Sequence, residues 1–241
     1  LEIKNLVSRP YIEMTVDMLR KIGVTIEWVN PYNIGIYPSL ISKASLEIEG
    51  DWSSAAFWMV AAAINGDISF RNLNPSSFQA DRAILEILIE IGAGVEISSD
   101  SIRVYRKEIL RGFDFDATHC PDLIPILAIL AFFSQNESRI LGIDRLRNKE
   151  SDRAKAIFQE ISKLSDRIKI TNNTLIMSEK QESRTVKNLV LDGYHDHRMV
   201  MAWTILALNL HHANTVIQGT SCVSKSYPDF FLDMEKLYVK K

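Results

Sequence analysis

Apolar and polar residues follow one arrangement that occurs three times along this chain. An amphipathic helix is followed by a short strand, a polar turn and a second strand, and in two copies a glycine, Gly23 or Gly92, follows the helix as a C-terminal cap. The predicted helices and strands lie at residues 11–22, 24–29 and 34–37, then 80–91, 94–97 and 102–105, and then 151–164, 167–170 and 174–177.

A second arrangement alternates with the first and consists of a nearly all-apolar helix, a polar turn and a strand. The apolar helices begin at residues 53, 122 and 196, so successive copies lie 69 and 74 residues apart. Such a period marks internal repetition and predicts a unit of about 70 residues with the order βαβαββ. The predicted helices and strands are residues 53–64 with 67–70, 122–133 with 138–143, and 196–210 with 214–218.

The sequence patterns of the helices and of the strands predict different degrees of burial. Residues 122–133 form a helix without a polar stripe, so we expect it to be buried on all sides. The strand pairs alternate between apolar and polar residues, which predicts sheets with one face on the core and one face in water. The fold class is therefore α/β (α+β), in an inside-out arrangement with central helices and outer sheets. No GxGxxG sequence supports a doubly wound dinucleotide-binding sheet.

The repeats do not close within the chain. The first residues supply an amphipathic helix and a strand pair without a preceding apolar helix, and the last predicted helix, residues 227–238, has no strand pair after it. We therefore expect residues 1–48 to be part of the last unit of one domain and residues 49–241 to form a second, nearly complete domain. The chain starts without Met or a signal-peptide pattern, so we interpret it as part of a longer protein.

Composition excludes several classes of protein. Apolar residues make up 46% and charged residues 24% of 241 positions, which is typical of a globular chain. The longest apolar run, residues 123–133, is shorter than the roughly 18 residues of a membrane span. A net charge of −2 provides no basic field for nucleic acid. Cys120 and Cys222 have no zinc spacing and indicate free thiols in a reducing compartment, which favours the cytoplasm.

Charged and polar clusters stand at the predicted helix starts. Free N–H groups at a helix start favour anions, and an added Arg or Lys makes a site for phosphate or carboxylate. Helix capping alone is the alternative interpretation of Asp122 and Asp196. Because repetition brings equivalent helix ends to one side of a domain, we expect a site for a ligand with several negative charges. The converging cations would be Lys149, Arg153, Arg198 and Lys225, with an ionised Glu150 beside them.

Six motifs connect the chain to a known family. They are NLVSRPYIEMTVDMLRKIG from Asn5, GDWSSAAF from Gly50, PDLIPILA from Pro121, RNKESDR from Arg147, DHRMVMA from Asp196 and SKSYPDFF from Ser224. Together and in this order they resemble the 5-enolpyruvylshikimate-3-phosphate synthase (3-phosphoshikimate 1-carboxyvinyltransferase) family over essentially the whole chain. The resemblance implies two inside-out domains of βαβαββ units, and it implies that family members carry a further N-terminal half.

The resemblance also implies a reaction. The family transfers the enolpyruvyl group of phosphoenolpyruvate to the 5-hydroxyl of shikimate 3-phosphate and releases phosphate, by addition and elimination, without a metal or an organic cofactor. This chemistry needs an acid for the methylene carbon, a base for the hydroxyl, and cations for phosphates and carboxylates. The expected partners are therefore phosphoenolpyruvate, shikimate 3-phosphate and the missing N-terminal half, with neither nucleic acid nor a membrane.

Motif by motif, the resemblance implies roles for individual residues. Asp122 resembles the carboxylate on the attacking hydroxyl, Glu150 the acid/base at the methylene carbon, and Lys149 the lysine that bridges substrate and developing charge. Arg145 stands where the family often has an amide or acidic residue against the substrate, so it either contacts substrate or pairs with Asp144 or solvent. The other implied assignments are the phosphoenolpyruvate-binding cations Arg153, Arg198 and Lys225, the phosphate contacts Ser8 and Tyr11, and a proton-transfer or structural role for His197.

Three alternatives accompany this interpretation. The related transferase that acts on UDP-N-acetylglucosamine has the same fold and reaction class, but the KESDR and DHR sequences favour the shikimate enzyme. A nucleic-acid-binding protein is disfavoured by the near-neutral charge and by the lack of a basic, aromatic-rich face. The third alternative is a non-catalytic half of an enzyme that binds ligand weakly. For the chain by itself we expect such weak binding and no turnover.

Overall fold

A computed structural model of the protein describes residues 1–41, 45–107, 109–181, 184, 186–210 and 214–237. In these ranges the chain is a mixed α/β protein, and none of its helices there has the length and apolar character that crossing a membrane requires. The same ranges contain the α-helices α1 (Arg9–Lys21), α2 (Trp52–Asn65), α3 (Ile84–Glu90), α4 (Ile124–Phe133), α5 (Arg153–Ser162), α6 (His197–Leu208) and α7 (Phe230–Leu237).

Within the described part of the chain the strands are short and form four sheets. The first sheet is an antiparallel hairpin that belongs to the N-terminal residues, and the other three belong to the successive repeats. The strands are β1 (Ile26–Asn30), β2 (Asn33–Ile36), β3 (Asp67–Arg71), β4 (Gly94–Ile97), β5 (Ser101–Tyr105), β6 (Asp114–Asp116), β7 (Ser138–Leu141), β8 (Ile168–Thr171), β9 (Thr174–Met177), β10 (Asn188–Asp192) and β11 (Asn214–Gln218).

The sheets of the repeats differ in how many strands they contain. β6 and β7, which precede and follow α4 in the sequence, pair in parallel. β10 and β11, which precede and follow α6, also pair in parallel. The middle repeat adds β9 and β8 in antiparallel pairing, which gives the order β6-β7-β9-β8. The sheet of the last repeat contains β10 and β11 alone among the described residues, while β3, β5 and β4 form the sheet of the first repeat.

The three apolar helices α2, α4 and α6 contact one another at the centre of the larger hydrophobic core. Nearly every residue of α4 is buried, as expected for a helix that is apolar on all sides. Trp52 and Trp203, on the other two central helices, are also fully buried. The sheets lie around these helices, so the predicted inside-out arrangement is confirmed.

Two predicted helices begin differently from the expectation. Ala80–Ala83 and Pro121–Leu123 form 3-10 turns, and the α-helices α3 and α4 start only after them. A 3-10 turn at a helix start tightens the first turn and shifts where its side chains point. Asp122 therefore lies in a 3-10 turn rather than at the N-cap of an α-helix.

The predicted strand at residues 138–143 ends early, because the chain turns sharply after Leu141. Gly142 has a φ of 93°, and a Cβ atom there would lie 2.7 Å from the backbone nitrogen of Thr118. Only glycine fits this conformation and this close approach without strain. The residues that follow, Ile143–Leu146, form a 3-10 turn that carries Arg145.

The N-terminal residues form a separate, smaller hydrophobic cluster. Val16 of α1 packs there with Ile26 and Ile34 of the hairpin, and the larger core begins at Trp52. At the other end, α7 starts later than predicted, at Phe230, and Tyr238 of the predicted helix lies outside the described residues.

Candidate active site

The predicted helix-start clusters at Asp122, at Lys149–Arg153 and at Asp196–Arg198 converge on one cavity. It has a volume of about 490 Å³. Residues from the 3-10 turn before α4, from the start of α5 and from the start of α6 line it: Asp122, Asn148, Lys149, Glu150, Arg153, His197 and Arg198. We call Asp122, Lys149, Glu150, Arg153, Asp196, Arg198 and Lys225 the cleft cluster.

Arg153 is the centre of the cleft cluster. Its side chain is 1% exposed, and its guanidinium donates to Asp196 at 2.7 and 3.2 Å, to Asp122 at 2.8 Å and to Glu150 at 2.8 Å. Burial opposes the charge, but the three carboxylates outweigh it and raise the pKa of Arg153. Arg153 thus joins the three carboxylates to one another.

Asp122 lies among three cations. Its Oδ1 accepts from Arg153 and lies 3.2 Å from Lys149 Nζ, and its Oδ2 lies 3.2 Å from Arg198 Nη2. Burial alone would favour the protonated form, but the fields of Arg198, Lys149 and Arg153 lower the pKa of Asp122. Asp122 is therefore ionised and can accept a hydrogen bond from a hydroxyl group.

Glu150 connects the buried part of the cluster to solvent. Its Oε2 accepts from Arg153, and its Oε1 accepts from Lys225 Nζ at 3.0 Å. Burial raises its pKa, but its own backbone N–H, the Lys225 ammonium and the Arg153 guanidinium together lower the pKa of Glu150 to about 2. The predicted ionised state is confirmed. Lys225 is 63% exposed and remains accessible to a ligand.

Asp196 is a residue whose part in the cluster the sequence did not reveal. Its Oδ1 accepts the backbone N–H of Arg198 and caps α6, as expected from the DHR motif. It is also fully buried, and it accepts from Arg153 and from Ser151 Oγ at 3.1 Å. The cap was visible in the sequence, but the pairing with a residue 43 positions away depends on the tertiary fold.

His197 lies in the same cavity wall and is buried. Its Nδ1 has no hydrogen-bond partner in the described part of the chain. Burial and the neighbouring Arg198 charge lower the pKa of His197, so its imidazole is neutral at pH 7. A neutral ring with an unpartnered nitrogen can accept or donate a hydrogen bond without adding charge to the site.

Tyr11 belongs to a second group of polar side chains, the junction cluster, which consists of Tyr11, Ser53 and Asp81. Tyr11 OH donates to Asp81 Oδ1 at 3.4 Å across the boundary between the two hydrophobic clusters, and Ser53 Oγ donates to Asp81 Oδ2. Asp81 is 1% exposed, and burial raises its pKa to about 6 against the opposing effects of Ser53 and Arg198. Burial and the nearby Asp81 and Asp122 also raise the pKa of Tyr11.

Asp81 is a further residue that sequence reasoning missed. It lies in the ADRA sequence at the start of a predicted amphipathic helix, where an aspartate normally faces water. No local signal predicts that the side chain turns inward toward α2 and α1.

The alternative pairing of Arg145 with Asp144 is wrong. Arg145 Nη2 donates to Ser8 Oγ at 3.1 Å, across the same boundary between the hydrophobic clusters, while Asp144 pairs with Arg147 at 3.0 Å. Ser8 precedes α1 in a left-handed conformation with φ of 54°, and its side chain does not cap that helix. The Ser8 hydroxyl thus faces an arginine from the larger core.

Within the described ranges, no group of three or more His, Cys, Asp and Glu side chains is placed to hold a metal ion. Cys120 is a buried free thiol, as expected, whereas Cys222 is only half-buried.

The chain matches known proteins over nearly its whole length. Residues 1–234 match the family model for EPSP synthase (3-phosphoshikimate 1-carboxyvinyltransferase). The chain is 39% identical to the 3-phosphoshikimate 1-carboxyvinyltransferase of Clostridium acetobutylicum over 97% of the chain and 53% of that protein. It is 37% identical to the protein of that name from Pyrococcus abyssi over 98% of the chain and 56% of that protein.

Solved structures show the same fold. An EPSP synthase structure from Acinetobacter baumannii superposes with a TM-score of 0.73 at 25% identity, over 92% of this chain and 54% of that one. The enolpyruvyl transferase NikO from Streptomyces tendae gives a TM-score of 0.72 at 19% identity, over 98% and 54%, which supports the fold alone. The chain spans about half the length of the curated relatives it matches. It belongs to the EPSP synthase (3-phosphoshikimate 1-carboxyvinyltransferase) family.

Proposed function

We propose that this chain forms one wall of an enzyme that transfers the enolpyruvyl group of phosphoenolpyruvate to the 5-hydroxyl of shikimate 3-phosphate and releases phosphate. The observation that carries the proposal is the composition of the cleft cluster, in which four cations and three carboxylates form one connected network beside the cavity. The excess of positive charge favours an anionic ligand, and the ionised carboxylates beside it can exchange protons.

The cations divide into two groups in this proposal. Lys149, Arg198 and Lys225 bind the phosphate and carboxylate of phosphoenolpyruvate and the charge that develops on them. Arg153 has the role of an organising residue, because its guanidinium is already bonded to three carboxylates and is closed to solvent. The proposal therefore changes the expected role of Arg153 from direct ligand binding to positioning.

The carboxylates supply the proton transfers. During addition, Asp122 takes the proton of the attacking hydroxyl as its oxygen bonds to the phosphate-bearing carbon, and Glu150 protonates the methylene carbon. During elimination, Glu150 removes a proton from the resulting methyl group as the C–O bond to phosphate breaks, and Asp122 returns its proton to the leaving phosphate. A pKa of about 2 makes Glu150 a poor proton donor in the free protein. An anionic ligand on Lys225 offsets one of the cations that lower this pKa, so ligand binding raises it toward a useful range.

Residues at the boundary between the two hydrophobic clusters hold the acceptor substrate in this scheme. Ser8 and Tyr11 contact the phosphate of shikimate 3-phosphate, and Arg145, which already faces Ser8 Oγ, provides a cation for the same group. His197 supplies an uncharged hydrogen bond next to the transferred group. In the same proposal residues 1–48 belong to one domain and residues 49–241 to a second, and the enzyme works in the cytoplasm.

A phosphate-release assay tests this function. In the chain completed with the N-terminal portion of a relative, phosphate should appear only when phosphoenolpyruvate and shikimate 3-phosphate are both present. In that enzyme Glu150→Gln should lower the rate by about 10²- to 10⁴-fold, as for other general acid–base groups. Glu137→Gln is the matched control, because Glu137 forms an exposed ion pair with Arg139. Full activity of Glu150→Gln would rule out the assigned role, and activity with UDP-N-acetylglucosamine as acceptor would favour the related transferase.

The chain by itself and the chain completed with the N-terminal portion of a relative should behave differently. We propose that the chain alone binds ligands weakly, because cations on an open surface are screened by water. Loss of a single preorganised donor lowers rates by about 10²- to 10³-fold, and a missing wall removes several. Steady phosphate release by the 241-residue chain at the rate of the completed enzyme would contradict this.

A further inference from the structure

The turn that precedes α6 has an unusual backbone. Tyr194 and His195 are consecutive non-glycine residues with φ of 52° and 53°. In the left-handed conformation the Cβ atom of an L-residue lies close to the backbone. Two consecutive residues therefore rarely adopt it. Strained residues of this kind persist only where the surrounding structure fixes them.

The contacts around the turn supply that restraint. Tyr194 OH donates to Glu160 Oε1 at 2.9 Å, and the Tyr194 N–H donates to Asp192 Oδ1 at 2.7 Å. Glu160 is buried, and its other oxygen accepts the Asp192 N–H at 3.1 Å and the Lys163 ammonium. The tyrosine ring is therefore tied to a carboxylate that itself has several fixed donors.

Gly193, which precedes Tyr194 and His195, is held by contacts with β11 and α6. The Gly193 N–H donates to Gln218 O at 3.1 Å, and a Cβ atom at this position would lie 2.4 Å from Val200 Cγ2. The Asp196 N–H donates back to Gly193 O at 2.9 Å and closes the turn. Movement of the turn would thus move Asp196 directly.

Asp196 is the point where this turn meets the cleft cluster. It accepts two hydrogen bonds from Arg153 and caps α6 at the Arg198 N–H. We propose that Tyr194, held by Glu160, is a positioning residue that keeps the strained turn in place and so fixes Arg153 and Arg198 for anion binding. The part of this proposal that concerns phosphoenolpyruvate rests on the proposed function.

Two variants test the proposal in different ways. Tyr194→Phe removes only the hydroxyl, which lies 2.9 Å from Glu160 Oε1 and 3.2 Å from Gln159 Oε1. His195→Gly leaves the hydrogen bonds of the turn intact and relieves the strain of a left-handed residue whose side chain is exposed. Tyr37→Phe is the matched control, because Tyr37 also donates its hydroxyl to a glutamate, Glu27, at 3.1 Å, in the N-terminal hairpin unit.

The readout is hydrogen exchange of the Arg153 Nε–H, which donates to Asp196 Oδ2 at 2.7 Å and is followed by its own NMR resonance. We expect exchange at least about tenfold faster in Tyr194→Phe, which corresponds to about 1.4 kcal/mol of lost protection. Because glycine adopts the left-handed conformation without strain, His195→Gly alone should not speed the exchange, and its addition to Tyr194→Phe should slow the exchange again. Tyr37→Phe should match the unchanged chain. Unchanged exchange in Tyr194→Phe, or no slowing when His195→Gly is added to it, overturns the proposal.

Phosphoenolpyruvate affinity provides the second readout and separates the two proposals. In the completed enzyme, Tyr194→Phe should weaken binding by about tenfold, while Tyr37→Phe leaves it unchanged. If the unchanged enzyme does not bind phosphoenolpyruvate, the proposed function is wrong, and the exchange of the Arg153 Nε–H still decides the positioning role. If it binds and Tyr194→Phe binds equally well, the positioning role is wrong and the proposed function is unaffected.

Discussion

The cleft cluster and the junction cluster each contain an aspartate whose pKa the surroundings shift, Asp122 and Asp81, and the two pKa values shift in opposite directions. Asp122 lies among three cations, which lower its pKa in spite of burial. Asp81 has hydroxyl partners, Ser53 and Tyr11, and burial raises its pKa to about 6. Neighbouring charge and burial act together here: Asp122 keeps 22% of its side chain exposed and lies among three cations, whereas Asp81 is 1% exposed and accepts from two hydroxyl groups.

The largest expected effect comes from removal of the shared cation of the cleft cluster. Arg153→Met leaves Asp122, Glu150 and Asp196 close together without it, and loss of one partner of a buried ion pair costs about 3–5 kcal/mol. Urea unfolding measures this loss. The control is Arg139→Met, which removes an exposed ion pair and should change the free energy of unfolding by less than about 1 kcal/mol. Equal losses for both variants would show that the cleft cluster is not charge-compensated as described.

The second prediction concerns the pH dependence that Asp81 causes. Its folded pKa of about 6 lies above the ordinary value of 3.8, so the folded state binds more protons between these values. The free energy of unfolding should therefore fall by about 3 kcal/mol as the pH rises from about 4 to about 6. Asp81→Asn should lack this fall, so that its stability relative to the unchanged chain increases with pH across that window.

Asp67 provides a control, because its contribution to stability depends on pH in the opposite direction. Asp67 pairs with Arg103 on the surface, and that hydrogen bond lowers its pKa. The stability that Asp67 contributes is present above its ordinary pKa and is lost as the pH falls. Asp67→Asn should therefore be less stable than the unchanged chain above the ordinary pKa of Asp67, and this difference should disappear as the pH falls. If the stabilities of both variants, relative to the unchanged chain, changed with pH in the same direction, Asp81 would not have the raised pKa described here.

The third prediction tests whether the positive charge of the cleft cluster serves a ligand. In the completed enzyme, Arg198→Gln removes a charge-assisted contact of about 1.5–3 kcal/mol, so the affinity for phosphoenolpyruvate should fall roughly 10- to 150-fold. Arg103→Gln, on the outer face of a sheet, should bind as well as the unchanged enzyme. An unchanged affinity of Arg198→Gln would remove this arginine from the site.

The smallest effect is expected at Tyr11. The Tyr11–Asp81 hydrogen bond is 3.4 Å long, so Tyr11→Phe should lower the free energy of unfolding by no more than about 1 kcal/mol. It should also raise the pKa of Asp81 further, because one donor to the charged form is lost. The same pH series of urea unfolding detects this shift. A larger loss would indicate that the contact between the two hydrophobic clusters is stronger than its geometry suggests.

The sequence predicted the parts of the fold that repeat. The three apolar helices and the strands Gly94–Ile97, Thr174–Met177 and Asn214–Gln218 follow directly from hydrophobic periodicity. The strand Asp114–Asp116 has one apolar residue among three and therefore no period, so its position was not found. Local pattern is informative where an element is long, and it fails where pairing with a distant strand creates the element.

The residues of the candidate site also divide into those that the sequence predicted and those that it did not. Helix-start chemistry predicted that Lys149, Glu150 and Arg198 would lie near one another, since each belongs to an anion-binding helix end. The partners of Arg153 and the inward direction of Asp81 depend on residues that are far away in the sequence. Charge neighbours of this kind are set by tertiary contact, so they decide protonation states that no motif reveals.

The central position of α2, α4 and α6 has a consequence for how the chain folds. Each of these helices is apolar on all sides, and each finds its buried contacts in helices that lie about 70 residues away in the sequence. A single repeat cannot bury its own helix, so contact order is high and the repeats cannot acquire stability one after another. We expect the backbone amides of the three helices to exchange with solvent as one cooperative unit, at a free energy close to that of global unfolding.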